Sequence, residues 1–433
     1  MKRLNLTLTI LALSIICYGQ AVPTSPALNN KFQQFINAYN TGDTLKFCGF
    51  YASETPNDKL IEKSVKQTLS EYSFSGKLKL MKVKPTSPTE TTIVARNESF
   101  GCWFEIYWIT DANQHYKEHH MRPIRLSSDF LQTGLLSQQQ VLTEADAYIK
   151  GLADQKVFAG NLLIAKDGKI LYNKSFGTNP AGAPNTSAQQ FDLASMGKLF
   201  TTISVLQLAD QHKLSLTDSV GKLIPQLKNK SLRGITVEQL LTHTSGMGDF
   251  FEDPAFDPMN GKKFTEADVI PAIEKDQLHF PPGKEFRYSN TGFLLLGLIV
   301  EKQSGQDFKT YVREHIFKPA QMMYSEPANG AGGGMSTVND IYSFSKAISD
   351  NKLLSPATTK QFLTFNNANW GLGQEYQQLG NEVITGHSGG FPGICTELNM
   401  YQNAGYTVVI LSNTEPPFGH FISDKIKELV VRR

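Results

Sequence analysis

A serine hydroxyl is a poor nucleophile until a neighbour takes its proton. Ser195-Met196-Gly197-Lys198 places an amine three residues from such a hydroxyl. On a helix, residues three apart share a face, so Lys198 can reach Ser195 Oγ. Asp192 stands where it can cap that helix, and Leu199, Phe200, Ile203, Leu206 and Leu208 follow at roughly helical spacing. Ser195 then falls in the first turn, where unpaired N–H groups and the positive dipole end favour developing negative charge. This is the outline of an acyl-transfer site. Ser343-Phe344-Ser345-Lys346 repeats the spacing, but within an apolar helical pattern begun near Asp340, where no free N–H groups are expected.

Two further stretches carry polar groups on backbone suited to a site. Pro281-Pro282-Gly283 forces a loop that leads through Tyr288-Ser289-Asn290 into the apolar run 293–300, which reads as a buried helix. His387-Ser388-Gly389-Gly390 follows a strand signal, and its glycines permit close backbone approach by a ligand. If Lys198 is the base, its pKa must fall from ~10.4 to ~7, a cost of about 4.6 kcal/mol; burial alone shifts lysines by ~3–5 units. Alternatively Lys198 stays charged and lowers the pKa of Tyr288 so that the phenolate is the base. The residues leave both open.

Ser195-x-x-Lys198, Tyr288-x-Asn290 and His387-x-Gly389, in that order, resemble the three motifs of the class C beta-lactamase and DD-peptidase superfamily. These penicillin-recognising serine hydrolases include esterases and D-aminopeptidases. The phrases 234–246, around Leu241-Thr242-His243-Thr244-Ser245-Gly246, and Gly332-Gly333-Gly334-Met335-Ser336-Thr337 support the resemblance, which runs from about Ala145 onward. It implies an α+β fold, an antiparallel sheet flanked by helices with a large helical insertion. It implies Ser195 as nucleophile, Tyr288 acting with Lys198 as base, and Asn290 orienting Lys198 and the substrate amide. The oxyanion hole would be the backbone amides of Ser195 and Gly390, with His387 and Gly389 on the substrate. No cofactor or metal is implied.

His387 stands where cephalosporinases carry lysine, which shifts the expectation towards an esterase, DD-peptidase or D-aminopeptidase. The partner expected is a small molecule or peptide, such as a peptidoglycan fragment, with no nucleic acid. A histidine near its ordinary pKa of ~6.5 is mostly neutral at pH 7.5 and regains charge below pH 6, where it can pair with a substrate carboxylate. The alternative is a non-catalytic cell-wall-binding or sensor module on the same fold, against which the intact Ser195, Lys198 and Tyr288 argue. His243, in its Thr/Ser-Gly loop, reads as structural.

Other motifs fall away on context. Gly386-His387-Ser388-Gly389-Gly390 spells the G-x-S-x-G elbow of α/β-hydrolases, but Pro392 and a β-hairpin follow instead of a helix. Tyr401-Gln402-Asn403 fits Y-x-N at a hairpin tip. His115-Tyr116-Lys117-Glu118-His119 spells an inverted zinc-protease motif, yet the surrounding pattern is a hairpin. On a strand, residues four apart lie about 13 Å from each other, too far for one zinc. His119-His120 therefore reads as a solvated strand pair.

The elements that must hold these groups divide the chain of 433 residues, 40% hydrophobic and 19% charged, into more than one domain. Residues 28–125 read as a small α+β unit: helices at 29–39 and 58–72, strands at 76–83, 91–97, 102–109 and 116–125. Its phrase 35–43, with Phe50-Tyr51, resembles the opening of cystatin-like, NTF2-like domains. Residues 126–143 are polar and read as a linker, and 144–433 as the hydrolase domain. There, Asp167-Gly168 between apolar runs is a hairpin signal. Strand patterns at 382–385, 394–401 and 406–413 and a helix at 421–431 close the domain. A sheet split between both ends of a domain, with helices inserted, accounts for that order.

A formal net charge of +2 gives no argument for a polyanionic partner. Residues 1–21, with Lys2-Arg3, an apolar run and Gly19-Gln20-Ala21, read as a secretory leader of an exported, periplasmic or extracellular protein. Ile16 precedes Cys17 where lipoprotein signals place a small residue, so lipidation there is the lesser reading. Cys48, Cys102 and Cys395 remain after cleavage, too few for a disulfide scaffold. A Cys48–Cys102 pair stays open, with burial as small hydrophobes the alternative.

Overall fold

The computed structural model describes residues 25–256, 266–367, 370–416 and 418–432. The leader expected at 1–21 lies outside the described residues. The chain forms two compact units, divided between Arg125 and Leu126. No helix among the described residues is long and apolar enough to cross a membrane.

The first unit packs three helices, α1 (Pro26–Tyr39), α2 (Thr44–Glu54) and α3 (Asp58–Ser75), with an antiparallel meander β1 (Leu78–Ser87), β2 (Glu90–Asn97), β3 (Trp103–Thr110) and β4 (Tyr116–Ile124). Ser25 starts α1 by accepting from the Leu28 N–H, and Phe32, Phe35, Ile36 and Tyr39 fall on its buried stripe. Helix α2 was not expected from the sequence. Its cue is Asp43, which accepts from Leu45 N–H, and its buried face is Phe47, Phe50 and Tyr51.

His119 corrects the expectation of a solvated pair: it is fully buried, its Nδ1 2.7 Å from Tyr116 Oη and its Nε2 2.8 Å from Glu71. Strand alternation explains it, because His120 points to the opposite, exposed face. His115 is exposed at the hairpin, so the two histidines of the zinc-like motif do not converge. Cys48 is exposed, Cys102 and Cys395 are buried, and all three are free thiols, so Cys48 and Cys102 are not paired.

In the second unit, residues 126–143 are no bare linker. The Leu126 N–H donates to Asp424, and α4 (Gln138–Asp154) begins within the stretch on a Ser137/Gln140 capping box. Strands β5 (Gly160–Lys166) and β6 (Lys169–Phe176) are joined through Asp167 and Gly168, both at positive φ (48° and 78°), as a tight hairpin requires.

The polypeptide then leaves the sheet through a two-residue strand β7 (Phe191–Asp192) into α5 (Lys198–Asp210), α6 (Val220–Leu223), α7 (Val237–Leu241), α8 (Glu266–Ile273) and α9 (Asn290–Ser304). Helices α10 (Phe308–Val312) and α11 (Lys318–Ala320), strand β8 (Met335–Ser336), α12 (Val338–Ser349) and α13 (Pro356–Thr364) complete the insertion. The chain returns as β9 (Glu375–Leu379), β10 (Glu382–Phe391), β11 (Ile394–Tyr401) and β12 (Tyr406–Ser412), and ends in α14 (Phe418–Val430). The six-stranded antiparallel sheet runs β6-β5-β12-β11-β10-β9, so the two ends of the unit meet where β12 pairs with β5. Helices α4 and α14 pack together, with α14 against β11 and β12, while α12 packs against β5 and β12. Strand β9, too polar to read from sequence, is an edge strand, where only the partner β10 must be satisfied.

Candidate active site

The turn that carries Ser195 is built by its neighbours. Asp192 Oδ1 accepts from the Ala194 N–H at 2.7 Å, which bends the chain and leaves Ala194 at φ 46°. Residues Ala194–Gly197 form a 3₁₀ turn and α5 starts at Lys198, so Asp192 shapes the turn rather than capping the α-helix itself. A positive φ at a residue with a Cβ is strained and survives only where the surroundings dictate it. Two backbone segments do so. The Gly333 N–H donates to Ala194 O at 2.7 Å, and a Cβ on Gly197 would lie 2.2 Å from Gly333 O. On the other side, a Cβ on Gly389 would lie 2.3 Å from Leu193 O and 2.4 Å from Thr396 Oγ1. Only glycine lets β10 lie this close to the turn.

Lys198 is 0% exposed, on a helix in which every residue from Lys198 to Leu208 is buried. Its Nζ lies 2.6 Å from Asn290 Oδ1, 2.5 Å from Ala331 O and 3.2 Å from Ser195 Oγ. Desolvation pulls its pKa down to about 7, with the carboxylate of Asp249 pushing the other way. A neutral amine has two N–H donors and one lone pair. With Asn290 Oδ1 and Ala331 O taking the donors, the lone pair is left for the Ser195 hydroxyl.

Tyr288 faces the same hydroxyl. Burial raises its phenol above the ordinary tyrosine value, the hydrogen bond to Ser195 opposing in part. Its ring lies 4.3 Å from that of His243 and 5.0 Å beneath Lys198 Nζ. Burial thus opposes the phenolate of Tyr288 and favours the neutral amine of Lys198.

Asn290 opens α9, whose N-cap Ser289 accepts from the Gly292 N–H at 3.0 Å. Both the backbone N–H and the side-chain Nδ2 of Asn290 donate to Asp249 Oδ2, at 2.7 and 2.8 Å. His243 is 1% exposed and its Nδ1 accepts from the Ser289 N–H at 3.1 Å, in keeping with a structural role. Its contact with Tyr288 and the carbonyl of Ala331 were both missed in the sequence, since nothing in a Thr-His-Thr-Ser loop or a glycine run signals them.

His387 departs from expectation. It is 2% exposed, its Nδ1–H donates to Ser388 O at 2.5 Å, and its ring stands perpendicular to Trp370 at 5.5 Å. Burial lowers its pKa below the ordinary histidine value, so charge is regained only at lower pH than that value implies. It packs behind the cleft, whereas Gly390 lines it together with Ser195, Tyr288 and Asn290. The cleft has a volume of about 590 Å³, with Phe250 and Phe251 on its wall and Asp192 as the one charged residue among its described lining.

The competing motifs are elsewhere. Ser343 lies inside α12, and Lys346 is exposed and paired with Asp350 at 2.6 Å. Ser388 lies within β10 and bonds to Glu375, not at a strand-to-helix elbow. Tyr401 ends β11 at a turn. Among the described residues no cluster of three or more His, Cys, Asp or Glu is placed to hold a metal ion.

Residues 145–325 match the beta-lactamase family. Protein flp of Staphylococcus aureus is 34% identical over 197 residues, 44% of this chain and only 38% of that protein. Penicillin-binding protein 4* of Bacillus subtilis is 26% identical over 318 residues, 61% of this chain and 70% of that one. Among solved structures, a penicillin-binding protein from Bacillus halodurans is 26% identical with a TM-score of 0.57, over 63% of this chain and 97% of that one. The D-amino acid amidase from Ochrobactrum anthropi SV3, at 19% identity and a TM-score of 0.59, shares the fold over 67% of this chain and 98% of its own.

Proposed function

We propose that this chain, whose residues 145–325 match the beta-lactamase family, is a serine hydrolase that works through an acyl-enzyme on Ser195. The observation that carries the reading is the set of three oxygens around a buried Lys198 Nζ, two of which can only accept. Lys198 Nζ takes the Ser195 proton as Oγ adds to the substrate carbonyl. The backbone N–H groups of Ser195 and Gly390 receive the oxyanion, each such donor being worth ~10²–10³ in rate. Tyr288, protonated, hands its proton to the departing alcohol or amine and recovers one from Lys198. Water then attacks the acyl-enzyme along the same route in reverse.

The substrate is an ester or amide of a small acyl group. The apolar wall of Phe250 and Phe251, the carboxylate of Asp192 and the seclusion of His387 favour a neutral or amine-bearing acyl donor over an anionic one. A D-amino-acid derivative or short ester meets that description, and the D-amino acid amidase shares the fold. The leader read at 1–21 would take the enzyme out of the cytoplasm, to the periplasm or beyond, where peptidoglycan fragments are available.

The test is intact mass after exposure to a fluorophosphonate and to D-amino-acid esters. Wild type gains one adduct and Ser195→Ala gains none, while Ser343→Ala and Ser388→Ala label normally. Labelling retained in Ser195→Ala would overturn the nucleophile, and an unlabelled wild type would leave a non-catalytic binding module.

A further inference from the structure

Asn290 has an amide that can be turned either way round, and only one orientation serves Lys198. A carboxylate accepts and never donates, so the contact of Asp249 Oδ2 with Asn290 Nδ2 at 2.8 Å fixes the nitrogen on that side. The carbonyl Oδ1 is then obliged to face Lys198 Nζ, 2.6 Å away. Were the amide reversed, its N–H would confront the amine donors and the lone pair would no longer be reserved for Ser195.

Asp249 is itself held firmly. Its Oδ1 accepts from the Phe251 N–H at 3.1 Å, and its Oδ2 also takes the Asn290 backbone N–H at 2.7 Å. On either side of it, Ser289 Oγ donates to Gly248 O at 2.6 Å and the Phe250 N–H donates to Thr291 Oγ1 at 2.8 Å. The 248–250 loop is thereby clamped to the first turn of α9.

We infer that Asp249 is a positioning residue for the hydrolysis: its carboxylate sets the orientation of the Asn290 amide and holds a negative charge one side chain away from the Lys198 amine. The inference rests on the Ser195–Lys198 reading above. It adds a residue that touches neither substrate nor nucleophile.

Lys198 faces Asp249 from the 248–250 loop, His243 from the segment after α7, His387 from β10 and the Tyr288 phenol. Glu375 on β9 acts on Tyr288 and His387. Burial keeps both imidazoles neutral by lowering their pKa. Asp249 is the carboxylate that opposes the desolvation of Lys198.

The experiment compares Asp249→Asn, Asp249→Ala and wild type in kcat/KM against pH from 5 to 9, after Ser195 labelling has established the nucleophile. Asparagine keeps an acceptor for the Asn290 N–H groups and loses the charge. Its acidic limb should move to lower pH by about one unit, the effect of removing one nearby opposite charge, with a plateau within about tenfold of wild type. Alanine loses charge and acceptor together. Its plateau should fall roughly 10- to 100-fold, the worth of a hydrogen bond to a charged group, with the limb displaced the same way. A role confined to folding lowers the active fraction and leaves the limb where it was. An unmoved limb in both variants, with Ser195 still labelled, overturns the inference; an unlabelled wild type overturns the reading beneath it instead.

Discussion

Replacing Lys198 with methionine tests the state of the amine without any substrate. In the folded protein its pKa falls from 10.5 to about 7, so below pH 7 the protein carries a buried ammonium at a cost of about 5 kcal/mol, at 1.36 kcal/mol per unit. Methionine removes that cost but leaves Asn290 Oδ1 and Ala331 O without their donor, at ~1–3 kcal/mol each. The two nearly offset, so the stability difference at a single pH is uninformative. Its pH dependence is decisive.

The loss of hydrogen bonds does not titrate, whereas the lysine does. Between the folded value of about 7 and the unfolded 10.5, the unfolded chain binds the proton and the folded one does not. Wild-type stability therefore rises with pH through that window relative to the variant. From pH 7 to 9 the gain is about 2 kcal/mol, and from pH 6 to 7 only a few tenths. Urea unfolding of both proteins at pH 6, 7, 8 and 9, followed by circular dichroism, measures it, since the first unit is identical in the two. A flat difference from pH 7 to 9 would mean that the lysine keeps its ordinary pKa in the fold, and Lys198 could not then be the base.

The kinetic counterpart is an acidic limb in kcat/KM near pH 7, with about a tenth of the plateau left at pH 6. Tyr288→Phe should lower kcat by roughly 10²–10⁴-fold as a lost proton carrier and leave that limb in place; disappearance of the limb would make the phenolate the base. Gly389→Ala must drive β10 from Leu193 O, 2.3 Å from the new Cβ, and should cost about 10²-fold or more in kcat/KM; near-normal turnover would show that β10 does not brace the Ser195 turn. At pH 7, p-nitrophenyl acetate should exceed nitrocefin in kcat/KM, and acidification to pH 6 should not rescue nitrocefin, because His387 is buried and its pKa lowered. Preference for nitrocefin would refute the reasoning from the seclusion of His387.

What could be read from sequence was what local rules determine. Ser195, Lys198 and the Asp167-Gly168 hairpin announce themselves through spacing and turn chemistry, and the three motifs in order carried the fold of the second unit. What could not be read depends on distant backbone. Ala331 contributes only a carbonyl, which every residue has, and Asp249 owes its place to a clamp between a loop and α9. The resemblance put His387 on the substrate, but strand alternation turns it inward beside Trp370. His119 failed for the same reason in reverse, since a strand of mixed polar residues gives no sign of which face carries a cover. Helix α2 was overlooked because Gly49 and a weak apolar stripe interrupt its pattern.

The pairing of β5 with β12 joins residues as far apart as Gly160 and Ser412. At a synthesis rate of ~5–20 residues per second, roughly 10–50 s separate the emergence of the two strands from the ribosome. Throughout that interval the Gly160–Lys166 segment, apolar on both faces, has β6 on one side and an open edge on the other. Tyr288 has yet to be made for part of it, and Gly390 for nearly all. The nascent protein is consequently a chain with an aggregation-prone edge, and the proposed site is complete only when the last strand closes the sheet.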